Sequence, residues 1–182
     1  MKQILEEILW RLYYASNDRV GRRGDIRFVL LNDILKGIHN FAGNQLSAAV
    51  CDLKKQKLIE LIKKKKNYDK SVLVSLTEKG MLRAINYKFR RLGDKKEKWD
   101  GKWRMVAFDI PRECQKGRKA LVYRLKMGGF YELQESIFLY PYDCQEEVSA
   151  FLKLFRLEKY IRFGLLDFID NQEKLKFHYK LN

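Results

Sequence analysis

The chain has 182 residues, a length that permits one large domain or two small ones. Its 34% charged and 46% hydrophobic residues are typical of a globular protein and exclude a disordered one. Lysine and arginine together number 38 against 23 for aspartate and glutamate. The resulting net charge of +15 favours a polyanionic partner, with nucleic acid ahead of a membrane surface.

The sequence indicates an intracellular, cytoplasmic protein. Its uncharged apolar runs are too short to span a bilayer, and its first ten residues carry acids inside the apolar stretch, unlike a signal peptide. Cys51, Cys114 and Cys144 are odd in number and widely spaced, which is typical of reduced thiols. With only His39 and His178 beside them they form no zinc-site spacing, and we expect no cofactor.

The first half of the chain predicts three helices, a hairpin and a fourth helix, from the period of its apolar residues and its turn signals. Helices are expected over 1–14, over about 32–38, from about Asn44 and over 78–89, with strands at 58–62 and 71–76. Asn32 or Asp33 is expected to cap the second helix and Thr77 the fourth.

The second half predicts strand, helix, two strands, helix and strand, which is the plan of a ferredoxin-like (βαββαβ) domain, with a further strand after it. Strands are expected at 104–110, within 131–140, at 160–169 and at 174–181, and helices at 115–127 and 145–155. The fold class is therefore α+β, with domains at 1–92 and 93–182. The polar stretch Arg90–Lys98 marks the seam, where Trp99 and Trp103 are expected to pack.

The third helix predicts a DNA-reading surface. Its apolar residues share one face, and its other face carries short or polar side chains, namely Asn44, Gln45, Ser47, Ala48, Cys51, Lys54 and Lys55. A helix enters the major groove when its outward side chains are short or can hydrogen-bond base edges. We interpret the second and third helices as a helix-turn-helix in which this face contacts DNA.

A basic loop follows that helix, between the two predicted strands. Lys63, Lys64, Lys65 and Lys66 lie at the tip of the hairpin, where they are expected to contact phosphates. A helix-turn-helix followed by a basic hairpin is the pattern of a winged helix. Residues 1–95 hold 21 basic and 10 acidic residues against 17 and 13 in residues 96–182, which agrees with a DNA-binding first half. The alternative is an ordinary solvated turn.

Two segments of the first half resemble a run found in many prokaryotic winged-helix regulators. Residues 53–60 (LKKQKLIE) and 74–80 (VSLTEKG) are similar to the pattern LkkkGlIe followed by v.LTekG. The chain departs from it at position 57, where Lys57 replaces the glycine.

The second half resembles the phenylacetic-acid operon repressor (PaaX) family, in which a winged helix is joined to a domain like the small CRISPR-associated protein Cas-two (Cas2). The WDGKW segment at 99–103 resembles the W-x-G-x-W mark of the repressor family. Residues 108–110 (FDI) and 133–138 (LQESIF) are similar to motifs shared with Cas2. The repressor family normally carries a further C-terminal domain, for which no room is expected before Asn182. Whether the protein binds a small-molecule effector is therefore left open.

The resemblance assigns a second possible role to Asp109. In the Cas2 family an acid at the end of the first strand pairs with that of a second subunit to hold a divalent metal. Such a pair could bind magnesium and orient a water for phosphodiester cleavage. The alternative is that Asp109 only caps the following helix or turn, since Pro111 breaks the strand. No other acid lies close in the motif, the nearest being Glu113, so we expect no catalytic or metal site here.

The sequence therefore predicts a transcriptional regulator of the PaaX type, a repressor that binds double-stranded DNA at specific sequences. It is expected to act as a homodimer and to have no membrane partner. The predicted edge strand at 174–181 is a candidate for pairing between subunits. The alternatives are a magnesium-dependent nuclease and a CRISPR-associated, Cas2-like adaptor.

A further basic set lies on the predicted helix after Pro111. It consists of Lys116, Arg118, Lys119, Arg124 and Lys126. Either a second nucleic-acid surface or an ordinary solvated helix fits these residues.

Overall fold

The structure is a computed structural model that describes residues 2–17, 29–36, 38, 41–63, 72–94 and 98–181. It divides into two compact units, Met1–Tyr87 and Lys88–Asn182. The division falls within a continuous helix, slightly before the predicted boundary at 92/93.

The first unit contains three helices, a three-stranded sheet and most of a fourth helix. The elements are α1 (Lys2–Asn17), β1 (Val29–Leu30), α2 (Leu31–Lys36), α3 (Gly43–Lys55), β2 (Ile59–Lys63), β3 (Val72–Leu76) and α4 (Glu78–Gly93). The sheet has the order β1-β3-β2 with antiparallel neighbours, and Lys63 pairs with Val72 at the loop end of the hairpin. The predicted helices and hairpin are present, while β1 was not predicted.

The core of this unit is formed by the apolar faces of its helices. Ile8 and Leu12 of α1, Leu53 of α3 and Ile85 of α4 have no exposed surface. The spacing of Ile8 and Leu12 puts both on one face of a 3.6-residue helix, as the sequence predicted. The capping prediction for the second helix is wrong, because α2 already begins at Leu31, so that Asn32 and Asp33 lie within its first turn.

The second unit begins with the last turn of α4 and contains a four-stranded sheet. The elements are β4 (Trp103–Phe108), α5 (Gln115–Met127), β5 (Tyr131–Gln134), β6 (Ile137–Tyr140), α6 (Gln145–Phe155), β7 (Ile161–Leu166) and α7 (Gln172–Tyr179), with short 3₁₀ turns at Arg112–Cys114 and Glu158–Tyr160. The strand order is β5-β6-β4-β7, and all neighbours are antiparallel.

The side chains of the four-stranded sheet build two cores. Val106 and Phe138 are fully buried, as are Leu121 of α5 and Phe151 of α6. The other face of the sheet carries the second core, in which Trp103 and Leu139 pack against Leu175 of α7. Because strand side chains alternate between faces, one short strand such as β4 contributes to both cores.

The end of α4 belongs to the second unit. Phe89 is buried and its ring lies edge-on to that of Phe151, while the hydroxyl of Tyr140 donates a hydrogen bond to the carbonyl oxygen of Leu92. The predicted seam at Arg90–Lys98 therefore starts inside a helix. Burial of Phe89 and Leu92, three residues apart, explains why the helix continues beyond the predicted end.

The prediction of a strand at 174–181 is wrong. These residues form most of α7, a helix. The alternation of Leu175, Phe177 and Tyr179 suggested one buried strand face, but Phe177 is 88% exposed while Leu175 is 2% exposed. Leu175 and Tyr179 are four residues apart and therefore share a helix face, which packs against Trp103. This segment cannot supply the edge strand for subunit pairing.

Trp99 and Trp103 pack within the second unit, in a core with Leu139 and Leu175. Trp103 is fully buried within the second unit, and the rings of Trp99 and Trp103 lie 4.9 Å apart. The three cysteines are free thiols. Within the described ranges, no helix combines the length and the apolar character needed to cross a bilayer.

Candidate nucleic-acid interface

Helix α3 divides cleanly into a buried and an exposed face. Its buried residues are Leu46, Ala49, Val50 and Leu53. All seven residues predicted to face outward are exposed, namely Asn44, Gln45, Ser47, Ala48, Cys51, Lys54 and Lys55. None of the seven is acidic, and the one acid of α3, Asp52, is half-buried and accepts a bond from the side chain of Gln56 at 3.4 Å, so Lys54 and Lys55 dominate the charge of this surface.

The two amides at the start of α3 also cap the helix. The side-chain oxygen of Gln45 accepts the backbone N–H of Ala42 at 3.1 Å, and that of Asn44 accepts the N–H of Gln45 at 2.8 Å. Both amide oxygens are thus engaged, which leaves the two NH₂ groups as donors. Such donors match the N7 and O6 acceptors that purines present in the major groove.

The basic end of α3 lies in its last turn. Lys54 and Lys55 are exposed there, close to the negative end of the helix dipole. The strands of the hairpin are as predicted, and the backbone of Lys63 ends β2. Lys64, Lys65 and Lys66, together with the side chain of Lys63, lie outside the described residues, so their phosphate contacts stay a prediction.

The regulator-like motif forms the junction between α3, β2 and α4. The hydroxyl of Thr77 donates to the carbonyl of Lys57 at 2.9 Å and accepts the N–H of Gly80 at 3.0 Å, as expected for the cap of α4. A Cβ on Gly80 would lie 2.0 Å from the carbonyl oxygen of Leu58, so only glycine fits there. This junction sets where the hairpin leaves α3.

The backbone conformation of Lys57 explains why the motif usually has a glycine at this position. Its φ is +57°, in the left-handed region that favours glycine. The chain turns here from α3 into β2, and Lys57 adopts the conformation at a cost in strain.

The WDGKW segment of the second unit is a hydrogen-bonded turn. Gly101 has a φ of +82°, and the indole N–H of Trp99 donates to the carbonyl of Lys102 at 2.9 Å. The carboxylate of Asp100 accepts two bonds from the guanidinium of Arg104, at 2.6 and 2.7 Å. That bidentate pair lowers the pKa of Asp100 to about 2. The motif thus fixes the entry into β4.

Asp109 lies in a cleft of about 730 Å³ beyond the end of β4. Its backbone N–H donates to the carbonyl of Tyr160 at 3.0 Å, and the cap of the following 3₁₀ turn is Pro111, with no side-chain capping bond. Asp109 is exposed in this cleft. The suggestion that its carboxylate caps the turn is therefore wrong.

A second acid that the sequence analysis missed lines the same cleft. Glu135, in the turn between β5 and β6, is brought there by the hairpin, and Arg118 holds its carboxylate at 2.8 Å. Lys159 and Arg162 also line the cleft. Across the described residues, no group of three or more histidine, cysteine, aspartate or glutamate side chains could hold a metal ion.

The five basic residues of α5 separate into different environments. Lys116, Lys119 and Lys126 are exposed, whereas Arg118 pairs with Glu135. Arg124 is 7% exposed and points inward. The prediction of one basic face made of all five residues is therefore wrong.

Arg124 is held in the core between two helices. Its guanidinium carbon lies 4.9 Å from the ring centroid of Phe151 and 5.8 Å from that of Phe155, and one of its nitrogens donates to the carbonyl of Ala120 at 2.8 Å. Burial lowers the pKa of this guanidinium. Its packing role could not be read from the sequence, because the same spacing fits an exposed arginine.

The positive charge is shared almost evenly between the two compact units. Residues 1–87 hold 17 basic and nine acidic residues, a net charge of +8, and residues 88–182 hold 21 and 14, a net charge of +7. The larger excess in residues 1–95 includes the basic end of α4, which belongs to the second unit. Both units are therefore suited to a polyanion.

Residues 96–176 match the family model described as the PaaX protein central Cas2-like domain. No curated protein matches the chain.

Proposed function

We propose that the protein is a sequence-specific DNA-binding regulator, a repressor of the PaaX type, because residues 96–176 match the family model of the PaaX protein central Cas2-like domain. The observation that carries this proposal is the outward face of α3. That face carries seven exposed residues, none of them acidic, and begins with two amides that have free donors; its one acid, Asp52, is half-buried and accepts a bond from Gln56.

The order of elements in the first unit supports a winged helix. Helix α3 follows α2 after a short connection and is followed by the hairpin β2–β3, as in winged-helix domains. In this arrangement α3 lies in the major groove, and Asn44, Gln45 and Ser47 contact base edges. The lysines at the tip of the hairpin contact the phosphate backbone.

The second unit serves for dimerisation in this proposal. Its element order and strand order fit a ferredoxin-like domain. Strand β7 lies at an edge of the sheet, with Phe163 and Leu165 exposed along it at 37% and 55%. A dimer places two recognition helices on a two-fold operator. Sedimentation at micromolar concentration should therefore give a species near 44 kDa, twice the 21.8 kDa chain mass.

The experiment that tests the proposal compares binding to a selected and a random duplex. The site is first selected from random DNA. Changing Asn44 or Gln45 to Ala should weaken binding to the selected site by about 1–3 kcal/mol per lost base contact and affect the random duplex much less.

Two controls are needed for this experiment. Because both amides cap α3, the melting temperature of each variant must be measured. Gln3, an exposed amide on α1, supplies a matched control as Gln3→Ala. Equal losses on both duplexes would show that α3 does not read sequence and would contradict the proposal.

A further inference from the structure

Helix α5 carries an exposed basic stripe with one aromatic residue. Lys116, Lys119 and Tyr123 follow one another at intervals of three and four residues and therefore share one face of the helix. Tyr123 is 64% exposed, an unusual position for a large aromatic side chain. The stripe ends at Lys126, whose ammonium lies 2.6 Å from the carboxylate of Glu132.

The charges of this stripe are uncompensated on its own helix. Helix α5 has no acidic residue along its length. Among the residues that the structure describes, the only anchored cations of the helix are Arg118, Arg124 and Lys126. Lys116 and Lys119 make no hydrogen bond or ion pair within the described part of the chain, so both ammonium groups are available to a partner.

The opposite face of α5 fixes the orientation of the stripe. Leu121, Arg124 and Leu125 are buried, and a Cβ on Gly117 would lie 3.0 Å from the side chain of Leu157. The packed inner face therefore holds α5 in one orientation, in which Lys116 and Lys119 point away from the core. Lys116 and Tyr123 are separated by about 10 Å along the axis, enough for contact with neighbouring phosphates.

We propose that the stripe Lys116–Lys119–Tyr123 of α5 is a second DNA-binding surface, which contacts the phosphate backbone of a duplex. The inference rests on the proposed function and extends it to the Cas2-like domain. Lysine ammonium and tyrosine hydroxyl groups are among the usual donors to phosphate oxygens. A helix that lies on a membrane would instead expose several apolar residues, whereas Leu121 and Leu125 are buried here.

The test uses the full chain and a pair of charge-matched double variants. One variant carries Lys116→Gln and Lys119→Gln. The control carries Lys98→Gln and Lys174→Gln, which removes the same charge from exposed lysines elsewhere in the second unit. Glutamine has nearly the helix propensity of lysine, so both proteins should fold, and equal melting temperatures check this.

The affinity for a duplex is measured at several salt concentrations. Relative to the control, the α5 variant should bind roughly ten-fold more weakly at 0.15 M salt, and the slope of log affinity against log salt should decrease in magnitude by about 2. If the two variants behave alike while the wild-type protein binds, the second surface is ruled out and the proposed function stands. If the wild-type protein binds no duplex, both proposals fail.

Tyr123 distinguishes a duplex from other polyanions. Tyr123→Phe removes only the hydroxyl and should weaken duplex binding about as much as Tyr123→Ala, because the proposed contact is a hydrogen bond to phosphate. A larger loss for single-stranded DNA than for the duplex, seen only with Tyr123→Ala, would indicate base stacking and contradict a duplex partner. A loss of binding to phosphatidylserine vesicles without a loss on the duplex would also contradict it.

Discussion

Helices α3 and α5 have the same length of 13 residues, and the sequence suggested a polar, basic surface on each. On α3 every residue predicted to face outward is exposed. On α5 only Lys116 and Lys119 are exposed and unpaired within the described ranges, Arg118 and Lys126 pair with acids, and Arg124 is buried. The difference lies in arginine, whose long stem packs against apolar surface while its head keeps polar contacts. A pattern of basic residues on a helix therefore predicts an exposed basic surface only when the buried face of that helix is known.

The largest expected effect tests whether the first unit holds the main DNA contacts. Changing Lys63, Lys64, Lys65 and Lys66 together to Ala should weaken binding to every duplex by on the order of a hundred-fold, because phosphates are present at every site. A dimer that neutralises about six phosphates should show a salt slope near −5, and the variant a smaller one. Affinity measured against salt checks this; an unchanged slope would show that the hairpin is only a solvated turn.

A smaller effect would sharpen the contrast within α5. Arg124→Ala should lower the free energy of unfolding by about 2 kcal/mol, because it removes buried packing and the contacts with Phe151 and Phe155. Lys119→Ala, on the exposed face, should change it by less than about 0.5 kcal/mol. Urea denaturation of both variants measures the difference, and equal stabilities would show that Arg124 does not act as a core residue.

The junction after α3 predicts a stabilising change. Lys57→Gly should raise the free energy of unfolding by about 1 kcal/mol, because it relieves a positive φ. Lys55→Gly, within α3, supplies the opposite control and should be destabilising by about 1 kcal/mol. Thermal or urea unfolding measures the stability of both variants. A lower stability of Lys57→Gly would contradict the strained conformation.

The smallest expected effect concerns Asp109. Asp109→Ala should leave duplex affinity unchanged, since the residue lies in the second unit and outside the α5 stripe. Duplex binding and cleavage are measured with and without magnesium. A magnesium-dependent cleavage that disappears in Asp109→Ala would instead establish the nuclease alternative.

The candidate site was predictable where local signals agreed. The apolar period of α3, the strands of the hairpin and the cap at Thr77 depend on neighbouring residues, and the structure has all three. The strand predicted at 174–181 failed because a short apolar alternation fits both periods, and only packing against Trp103 selects the helix. The pairing of β1 with β3 likewise depends on residues far apart in the chain.

The sequence by itself determined the α+β composition, the outward face of α3, the basic character of the chain and its resemblance to PaaX proteins. Only the tertiary structure decided which cations of α5 are free, that Glu135 joins Asp109 in one cleft, and that α4 extends into the second unit. The physical reason is that local patterns reflect hydrogen bonding and burial along one element. Whether a side chain meets solvent or a partner depends on elements that only folding brings together.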